Sequence, residues 1–279
     1  MQIAIGVVIP ARNESSNLPK TLSNLIQQTL KPKQIIVVND NSTDSTKEIA
    51  QSYPNTIVVD FPKKHSNWQA RKELALVFNY GLKELEKIEH DYTMILGADH
   101  LLPKDYLEKI INMMEQDRNT VICSGSIENE FAIVPRGSGR VVRTQFWRSI
   151  EFRYPVNFGF ESYLIYKARS MGYQAKYLEE LKTTTQRKTA IAYDSRMFFN
   201  YGQACRALGY TPQYMLAVCA IEFTHHPKRA LYHFLGYLSS KADFYENDVR
   251  NYVKKQQSKK FLKKRSLLHA VELIKKKGR

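Results

Sequence analysis

The first 125 residues alternate between short apolar runs and amphipathic segments, and this alternation limits the fold more than any other feature. Strands are predicted over runs of β-branched and other apolar residues, at 3–9, 34–38, 56–59, 93–96 and 121–124. Helical patterns lie between them, from Ser15 or Ser16 onward and then at 45–53, 68–86 and 104–114. Alternating strands and helices form βαβ units, so we predict an α/β fold with a mostly parallel sheet and helices on both faces.

The second half of the chain is less regular. Residues 136–140 (RGSGR) are predicted to form a flexible basic loop, and residues 146–152 an aromatic helix. Another helix is predicted after residues 157–161, ending at Gly172. From residue 193 onward the pattern is helical only. We therefore expect a helical extension at residues 191–279.

Polar loops follow three of the predicted strands, at residues 10–14, 39–44 and 97–100. In a doubly wound sheet the carboxyl ends of the strands meet at one crevice. That crevice would bring together three carboxylates and two guanidinium groups, those of Asp40, Asp44, Asp99, Arg12 and Arg71. Taken alone, a strand-end aspartate such as Asp99 more often caps a helix or forms a turn. As a group, these side chains suit a ligand with hydroxyls at one end and phosphates at the other, together with Mg²⁺ or Mn²⁺.

Four blocks of sequence carry a resemblance to a known family. VVIPARNE (7–14), VVNDNSTDS (37–45) and LGADHLLP (96–103) look like the three signature blocks of family-2 glycosyltransferases. NFGFESYL (157–164), followed by RSMGY (169–173), resembles the Gly-Glu-Asp block that carries that family's catalytic base. The resemblance covers about residues 1–190 and implies an inverting enzyme of the GT-A fold, a Rossmann-like nucleotide-diphospho-sugar transferase. The domain boundaries it implies are 1–190 for the GT-A domain and 191–279 for the extension.

The resemblance also implies a role for each matching residue. A nucleotide-sugar site would be lined by Pro10, Ala11, Arg12, Glu14, Asp40, Arg71, Ala98 and Asp99. Asp99 matches the last position of the family's Asp-x-Asp motif and would hold Mg²⁺ or Mn²⁺ on the diphosphate. Glu161 matches the general base, which takes the proton of the acceptor hydroxyl. The donor would be a UDP- or GDP-linked sugar, and the acceptor a glycan or a lipid-linked group.

Four positions, in three of the matching regions, depart from the family pattern. Gly97 replaces the first Asp of the metal motif, so we expect weak metal binding at Asp99 when the donor diphosphate is absent. Phe160 and Glu161 replace Glu-Asp, which makes the base one methylene longer. Gln186 lies near the position where many relatives have a histidine. Whether another histidine (His100, His225 or His226) ligates the metal stays open at this level.

The chain is strongly basic, with a formal charge of +15 from 42 Lys and Arg against 27 Asp and Glu. Twelve of these cations and three of the acids lie in residues 246–279. Residues 256–279 read as a basic amphipathic helix, which would either bind an anionic membrane surface or pack its apolar face on the domain. Three cysteines without CxxC spacing, and no apolar stretch long enough to span a bilayer, predict a cytoplasmic protein. A basic tail would place it peripherally on the inner face of the membrane.

Other functions compete with the transferase interpretation. A nucleotidyltransferase would show a glycine-rich basic loop after the first strand, and residues 10–14 lack one. Charge alone suggests a nucleic-acid-binding protein, but no motif of that class is present, so we do not expect nucleic acid as a partner. Gly97 and Glu161 leave open a degenerate relative that binds nucleotide sugars without transferring the sugar.

Overall fold

The computed structural model describes residues 3–62, 72–128, 134–187 and 195–262. The chain divides into two compact units. The first consists of residues 1–67, 76–154 and 173–189, and the second of residues 68–75, 155–172 and 190–279. The second unit thus combines residues 155–172 with the C-terminal helices, whereas the predicted boundary was a single cut after residue 190. That boundary stays a prediction about domains.

Eight strands and ten helices are formed by the described residues. The strands are β1 (Ile5–Ala11), β2 (Gln34–Asn39), β3 (Thr56–Asp60), β4 (Tyr92–Ile95), β5 (His100–Leu101), β6 (Thr120–Ile127), β7 (Arg140–Arg143) and β8 (Gln174–Thr185). The helices are α1 (Leu18–Ile26), α2 (Thr46–Gln51), α3 (Leu74–Glu86), α4 (Tyr106–Gln116), α5 (Thr144–Ser149), α6 (Phe160–Ser170), α7 (Ser195–Ala207), α8 (Pro212–Phe223), α9 (Pro227–Leu238) and α10 (Asn247–Leu262).

The strands form a mixed sheet in the order β3-β2-β1-β4-β7-β6-β8-β5. Four neighbouring pairs are parallel and three are antiparallel. All seven residues of β1 are buried, as expected for a central strand with helices on both faces of the sheet. The predicted α/β class, with its mostly parallel sheet and C-terminal helices, is confirmed.

The longest strand, β8, has 12 residues and lies where the sequence pattern predicts no strand. Its sequence, QAKYLEELKTTT, contains four charged residues and no regular alternation of apolar and polar positions. Glu, Leu, Lys and Ala favour helices as isolated residues. Pairing with β6 and β5 overrides that preference, and this pairing is not visible in local sequence.

Several predicted boundaries need correction. β1 continues through Pro10, which pairs in register with Val38, instead of ending before it. The loop predicted at 136–140 ends in the sheet, because Arg140 begins β7 and is buried. Its guanidinium group donates hydrogen bonds to the carbonyl oxygens of Arg136 and Pro135, at 2.9 and 3.0 Å, which compensates for its burial.

Three helices also start or end elsewhere than predicted. Asn17 precedes α1, so neither Ser15 nor Ser16 is the cap. The helix predicted at 68–86 begins at Leu74, and residues 63–71 lie outside the described residues. The aromatic helix predicted at 146–152 spans Thr144–Ser149 instead. Each shift is confined to the first or last turn or two, where neighbouring segments compete with local propensity.

The second unit is helical in its described part, and α7 and α9 approach each other closely. A Cβ atom at Gly202 would lie 2.1 Å from the carbonyl oxygen of His233, and one at Gly236 would lie 2.0 Å from that of Phe199. Glycine at both positions therefore permits the two backbones to touch. Within the described part of the chain, no helix is long and apolar enough to cross a membrane.

We predict that Gly125→Ala destabilises the first unit by about 1–3 kcal/mol, the usual cost of overpacking. The added methyl group would lie 2.3 Å from the carbonyl oxygen of Leu181 and 2.8 Å from the ring of Tyr106. The carbonyl belongs to the β8 backbone and has little room to move. Urea unfolding measures the loss, and Lys182→Ala on the exposed side of β8 should change stability by less than about 0.5 kcal/mol. Equal stability of the two variants would show that the β8 backbone at Leu181 moves to accommodate the added methyl group.

Candidate functional site

The ends of β1 and β2 bring together three of the predicted site residues. Pro10 and Ala11 finish β1, and Ala11 pairs in register with Asn39, the last residue of β2. The backbone N–H of Asp40 donates to the carbonyl oxygen of Ala11 at 2.8 Å. Asp40 is buried, so its carboxylate has a fixed position beside the end of β1. The polar loops predict that Asp40 lies at this edge of the sheet, and the family resemblance implies that Pro10 and Ala11 line the same site.

Side chains of one loop cap the backbone of the other. Glu14 N–H donates to Thr46 Oγ1 at 2.7 Å, and Ser15 N–H donates to Asp44 Oδ2 at 3.1 Å. Asp44 also accepts from the backbone N–H and the hydroxyl of Thr46. Burial raises the pKa of Asp44, but the hydrogen bonds from Thr46 and Ser15 outweigh that effect and lower the pKa to about 2. Asp44 therefore braces the loops, whereas the sequence analysis had placed it among the ligand-facing carboxylates.

The central feature of the site is a guanidinium group that bridges two carboxylates. Arg187 Nη2 lies 2.6 Å from Glu14 Oε1, and Arg187 Nε lies 2.9 Å from Asp99 Oδ2. The Glu14 side chain is 5% exposed, whereas that of Arg187 is 56% exposed. Burial raises the pKa of Glu14, and the hydrogen bond from Asn17 and the charge of Arg187 oppose the rise. The sequence analysis did not identify Arg187, because it lies about 90 residues from Asp99 and belongs to none of the four blocks.

Gln186 holds this part of the chain in place. Its backbone N–H donates to the carbonyl oxygen of Asp99 at 2.8 Å. Its side-chain amide donates to the carbonyl oxygen of Asn17 at 2.9 Å and to Thr21 Oγ1 at 3.1 Å. The Thr21 hydroxyl in turn donates to the carbonyl oxygen of Ala98 at 2.8 Å. Gln186 therefore joins the end of β8 to α1 and to the loop after β4, and it positions the neighbouring arginine.

His100 and Ser138 fill the space beside Gly97. Ser138 Oγ accepts from Gly97 N–H at 2.8 Å and shares a hydrogen bond with His100 Nδ1. His100 Nε2 shares another with Thr183 Oγ1 at 2.7 Å. Burial lowers the pKa of His100 to about 4, so the ring is neutral at pH 7. A Cβ atom at position 97 would lie 3.2 Å from both Ser138 Oγ and Asp99 Oδ1, so a larger side chain there would crowd the site.

The histidines left open by the sequence are now accounted for. Both ring nitrogens of His100 are engaged by protein hydroxyls, so this residue is structural and not a metal ligand. His225 is exposed and His226 immediately precedes α9 in the second unit. Neither belongs to a group of three potential metal ligands among the described residues.

The remaining predicted residues are distributed as follows. Arg12 is half-buried in the loop after β1, and Arg71 lies outside the described residues. Glu161 lies in the first turn of α6, in the second unit, whereas the other described site residues belong to the first. Gly159 precedes this helix with φ of +78°, a backbone conformation that favours glycine. A first-turn glutamate also interacts favourably with the helix dipole, so its position is compatible with a structural role as well as with a catalytic one.

The two units differ in the potential metal ligands that they contain. In the part of the chain that the structure describes, one group of three side chains could hold an ion, namely Cys219, Glu222 and His233 of the second unit. The carboxylate of Glu222 is already paired there with His233 and Arg229. Asp99 belongs to no such group and offers a single carboxylate. The single carboxylate of Asp99 fits Mg²⁺ or Mn²⁺, because these ions are commonly held by one or two carboxylates, with substrate phosphates and waters as the other ligands.

Comparison with known proteins gives a consistent result. The family model described as "Glycosyl transferase family 2" matches residues 6–182. Cholesterol galactosyltransferase of Borreliella burgdorferi is 26% identical over 122 residues, which are 43% of this chain and 32% of that protein. 4,4'-Diaponeurosporenoate glycosyltransferase of Staphylococcus aureus is 31% identical over 114 residues, 40% of this chain and 28% of that protein. The chain therefore matches about a third of the length of these curated relatives.

Solved structures support the same fold. The mannosyltransferase PcManGT of Pyrobaculum calidifontis, in complex with GDP-Man and Mn²⁺, has a TM-score of 0.60 at 16% identity. That alignment covers 99% of this chain and 85% of that one. TarS of S. aureus (residues 1–349), in complex with UDP-GlcNAc, has a TM-score of 0.56 at 14% identity and is covered to 92%, as is this chain. At these identities the comparison shows that the GT-A fold is shared.

We predict that His100→Ala costs about 2–4 kcal/mol of stability, because it leaves a cavity and removes a hydrogen-bond partner from the buried Thr183 hydroxyl and the half-buried Ser138 hydroxyl. His225→Ala, at an exposed position, is the matched control and should cost less than about 0.5 kcal/mol. Thermal unfolding monitored by circular dichroism measures both variants. A destabilised His100→Ala variant that still binds Mn²⁺ with normal affinity supports the structural role. Wild-type stability with lost Mn²⁺ binding would contradict it.

Proposed function

We propose that the chain, which belongs to glycosyl transferase family 2, transfers a sugar from a UDP- or GDP-linked donor to an acceptor hydroxyl or lipid phosphate with inversion at the anomeric carbon. The observation that carries this proposal is the family match over residues 6–182, since it spans every predicted binding residue and Glu161. The strand-end geometry supports it, because Pro10, Ala11 and Asp40 converge at the position where α/β sheets bind nucleotides.

The phosphate end of the donor is proposed to lie against Asp99 and Arg187. Arginine binds phosphate oxygens through two parallel hydrogen bonds, and the half-exposed guanidinium group can be reached from solvent. In the structure this group is paired with Glu14 and Asp99. A diphosphate would compete with those carboxylates for it, so Arg187 would exchange its partners when the donor binds. Arg12 and Arg71 are further candidates for the same pocket.

Asp99 would hold Mg²⁺ or Mn²⁺, and that ion would neutralise charge on the departing diphosphate. The ion pair with Arg187 makes Asp99 a weak site in the absence of donor, because a metal must displace the guanidinium group from the carboxylate. This supports the expectation drawn from Gly97. Metal affinity is therefore expected to rise when the donor's phosphates complete the coordination shell.

Glu161 is the proposed general base. It would accept the proton of the acceptor hydroxyl while that oxygen attacks the anomeric carbon. A first-turn glutamate on a glycine-initiated helix has a backbone that is well fixed, which suits a base that must meet one hydroxyl.

The acceptor is proposed to be a lipid or a lipid-linked group, with a glycan as the other candidate. Two relatives support this choice by name, since one is a cholesterol galactosyltransferase and the other a 4,4'-diaponeurosporenoate glycosyltransferase. Membrane binding through residues 256–279 stays a prediction, because residues 263–279 lie outside those that the structure describes. The cytoplasmic location is likewise a prediction.

We predict that Glu161→Gln lowers turnover at least about 10²-fold, since general base catalysis contributes about 10²–10⁴-fold. Donor affinity should stay within about twofold, because the substitution is isosteric and the base does not touch the phosphates in the proposed mechanism. Release of nucleotide in the presence of a panel of lipid and glycan acceptors measures turnover. Glu179→Gln, on the exposed part of β8, is the control. Turnover equal to wild type would remove Glu161 from the mechanism.

We predict that Arg187→Ala weakens donor binding about tenfold or more, while Arg187→Lys restores part of the loss because the charge remains without the two-pronged geometry. Asp99→Asn should weaken donor binding only when Mn²⁺ is present. Calorimetry with UDP- and GDP-sugars, with and without Mn²⁺, measures both effects. The control is Arg118→Ala, an exposed arginine that precedes β6.

The same titrations test the rival functions. A donor that binds without turnover indicates a degenerate transferase. The absence of nucleotide-sugar binding, together with salt-dependent binding of DNA or RNA, would overturn the proposal in favour of a nucleic-acid-binding protein.

A further inference from the structure

Helix α8 is apolar on nearly all sides, since its buried residues Met215 and Cys219 and its exposed residues Leu216 and Phe223 are all apolar. Its sequence, PQYMLAVCAIEF, contains one charged residue, Glu222, and this residue is 2% exposed. Glu222 points into the second unit, where its carboxylate pairs with His233 and Arg229 of α9. Leu216 and Phe223, seven residues apart and so on one side of the helix, are each 59% exposed. A surface helix in water normally has a polar exposed side and keeps its charged residues on that side.

Helix α9 also exposes large apolar side chains. Leu231, Leu235 and Leu238 follow the i, i+4, i+7 spacing of one helical face, and all three are exposed, Leu238 to 62%. Among the described residues, twelve large apolar side chains are exposed, and eight of them lie between Tyr201 and Phe244. Scattered exposed hydrophobic side chains are ordinary, but a concentration on two neighbouring helices indicates a binding surface. We call Leu216, Phe223, Leu231, Leu235 and Leu238 the apolar face.

Charge indicates which partner fits the apolar face. Without the tail at 256–279, residues 195–255 contain eight Lys and Arg against four Asp and Glu, so this part of the chain is itself positively charged. Exposed Lys228 and Lys241 flank the two ends of α9. A second copy of the chain would bring equally positive groups together and be repelled. An anionic lipid surface would attract them and would also accept apolar side chains.

We propose that the apolar face of α8 and α9 docks on an anionic bilayer and enters the boundary between headgroups and acyl chains. Each helix has 12 residues, about 18 Å at 1.5 Å per residue, against about 30 Å of hydrocarbon, so the helices lie in the interface and do not span it. Glu222 is buried and paired with Arg229 and His233, which leaves the exposed side of α8 free of acidic groups. This proposal does not depend on sugar transfer, and it differs from the tail prediction in resting on residues 212–238.

Flotation of the full-length protein with vesicles tests the proposal. Phosphatidylcholine alone is compared with an equal mixture of phosphatidylcholine and phosphatidylglycerol. The wild type is expected to float with the mixed vesicles and far less with phosphatidylcholine. Phe223→Gln combined with Leu238→Gln should weaken that binding about tenfold or more, because two large apolar side chains lose their burial in lipid. Both sites are exposed, so the variant should fold.

The matched control is Ile57→Gln combined with Met171→Gln, two residues that are each 42% exposed and lie outside the apolar face. It should bind vesicles like the wild type. Equal binding by the face variant and the wild type would overturn the proposal. So would a wild-type dimer in lipid-free sedimentation that the face variant abolishes, since the occupant would then be a second copy. Nucleotide-sugar calorimetry on the same variants should be unchanged, which separates this test from that of the proposed function.

Discussion

The candidate site depends on one ion-paired guanidinium group. Arg187 lies just after β8 and pairs with Glu14, in the loop after β1, and with Asp99, in the loop after β4. Because Glu14 is almost fully buried, its carboxylate would be costly without a cationic partner. The pair with Asp99 is more exposed and solvent-screened, so it is the one that can open at low cost. The ion pair between Arg187 and Glu14 is therefore structural. The pair between Arg187 and Asp99 can open, which would free the guanidinium group for a phosphate or the carboxylate for a metal.

The groups around that bridge are neutral and mutually satisfied. His100 is held uncharged by burial and joins Ser138 to Thr183, while Gln186 links β8 to α1 through its amide and backbone. Such networks fix geometry without adding charge to a site in which two carboxylates share one guanidinium group. Gly97 belongs to this arrangement, since its lack of a side chain leaves room for Ser138. The space that an acidic side chain at position 97 would need is thus taken by Ser138, which His100 holds in place.

The second unit has an unusual distribution of charged and apolar side chains. Its helices pack closely through Gly202 and Gly236, and its charged residue on α8 is directed inward to a histidine and an arginine. That arrangement leaves leucine and phenylalanine on the outside. In water alone this distribution is unfavourable, because apolar area stays hydrated while a carboxylate is desolvated. A lipid interface would remove the apolar area from water, and an outward-facing carboxylate would be costly there, so this surface would be compatible with an acceptor carried in a membrane.

Local patterns in the sequence determined much of this protein. Alternating apolar runs specified the α/β class, and polar residues after β2 and β4 predicted that Asp40 and Asp99 lie at one edge of the sheet, whereas the roles of Pro10 and Ala11 were implied by the family resemblance. These signals are readable because strand period, turn residues and strand-end position act over a few neighbouring residues. Only the tertiary structure decided that charge-rich β8 is a strand and that Asp44 braces a loop. It also decided that Arg187 joins Glu14 to Asp99 and that Glu222 turns inward. Each of these results depends on partners far apart in the chain, whose pairing and burial no local pattern encodes.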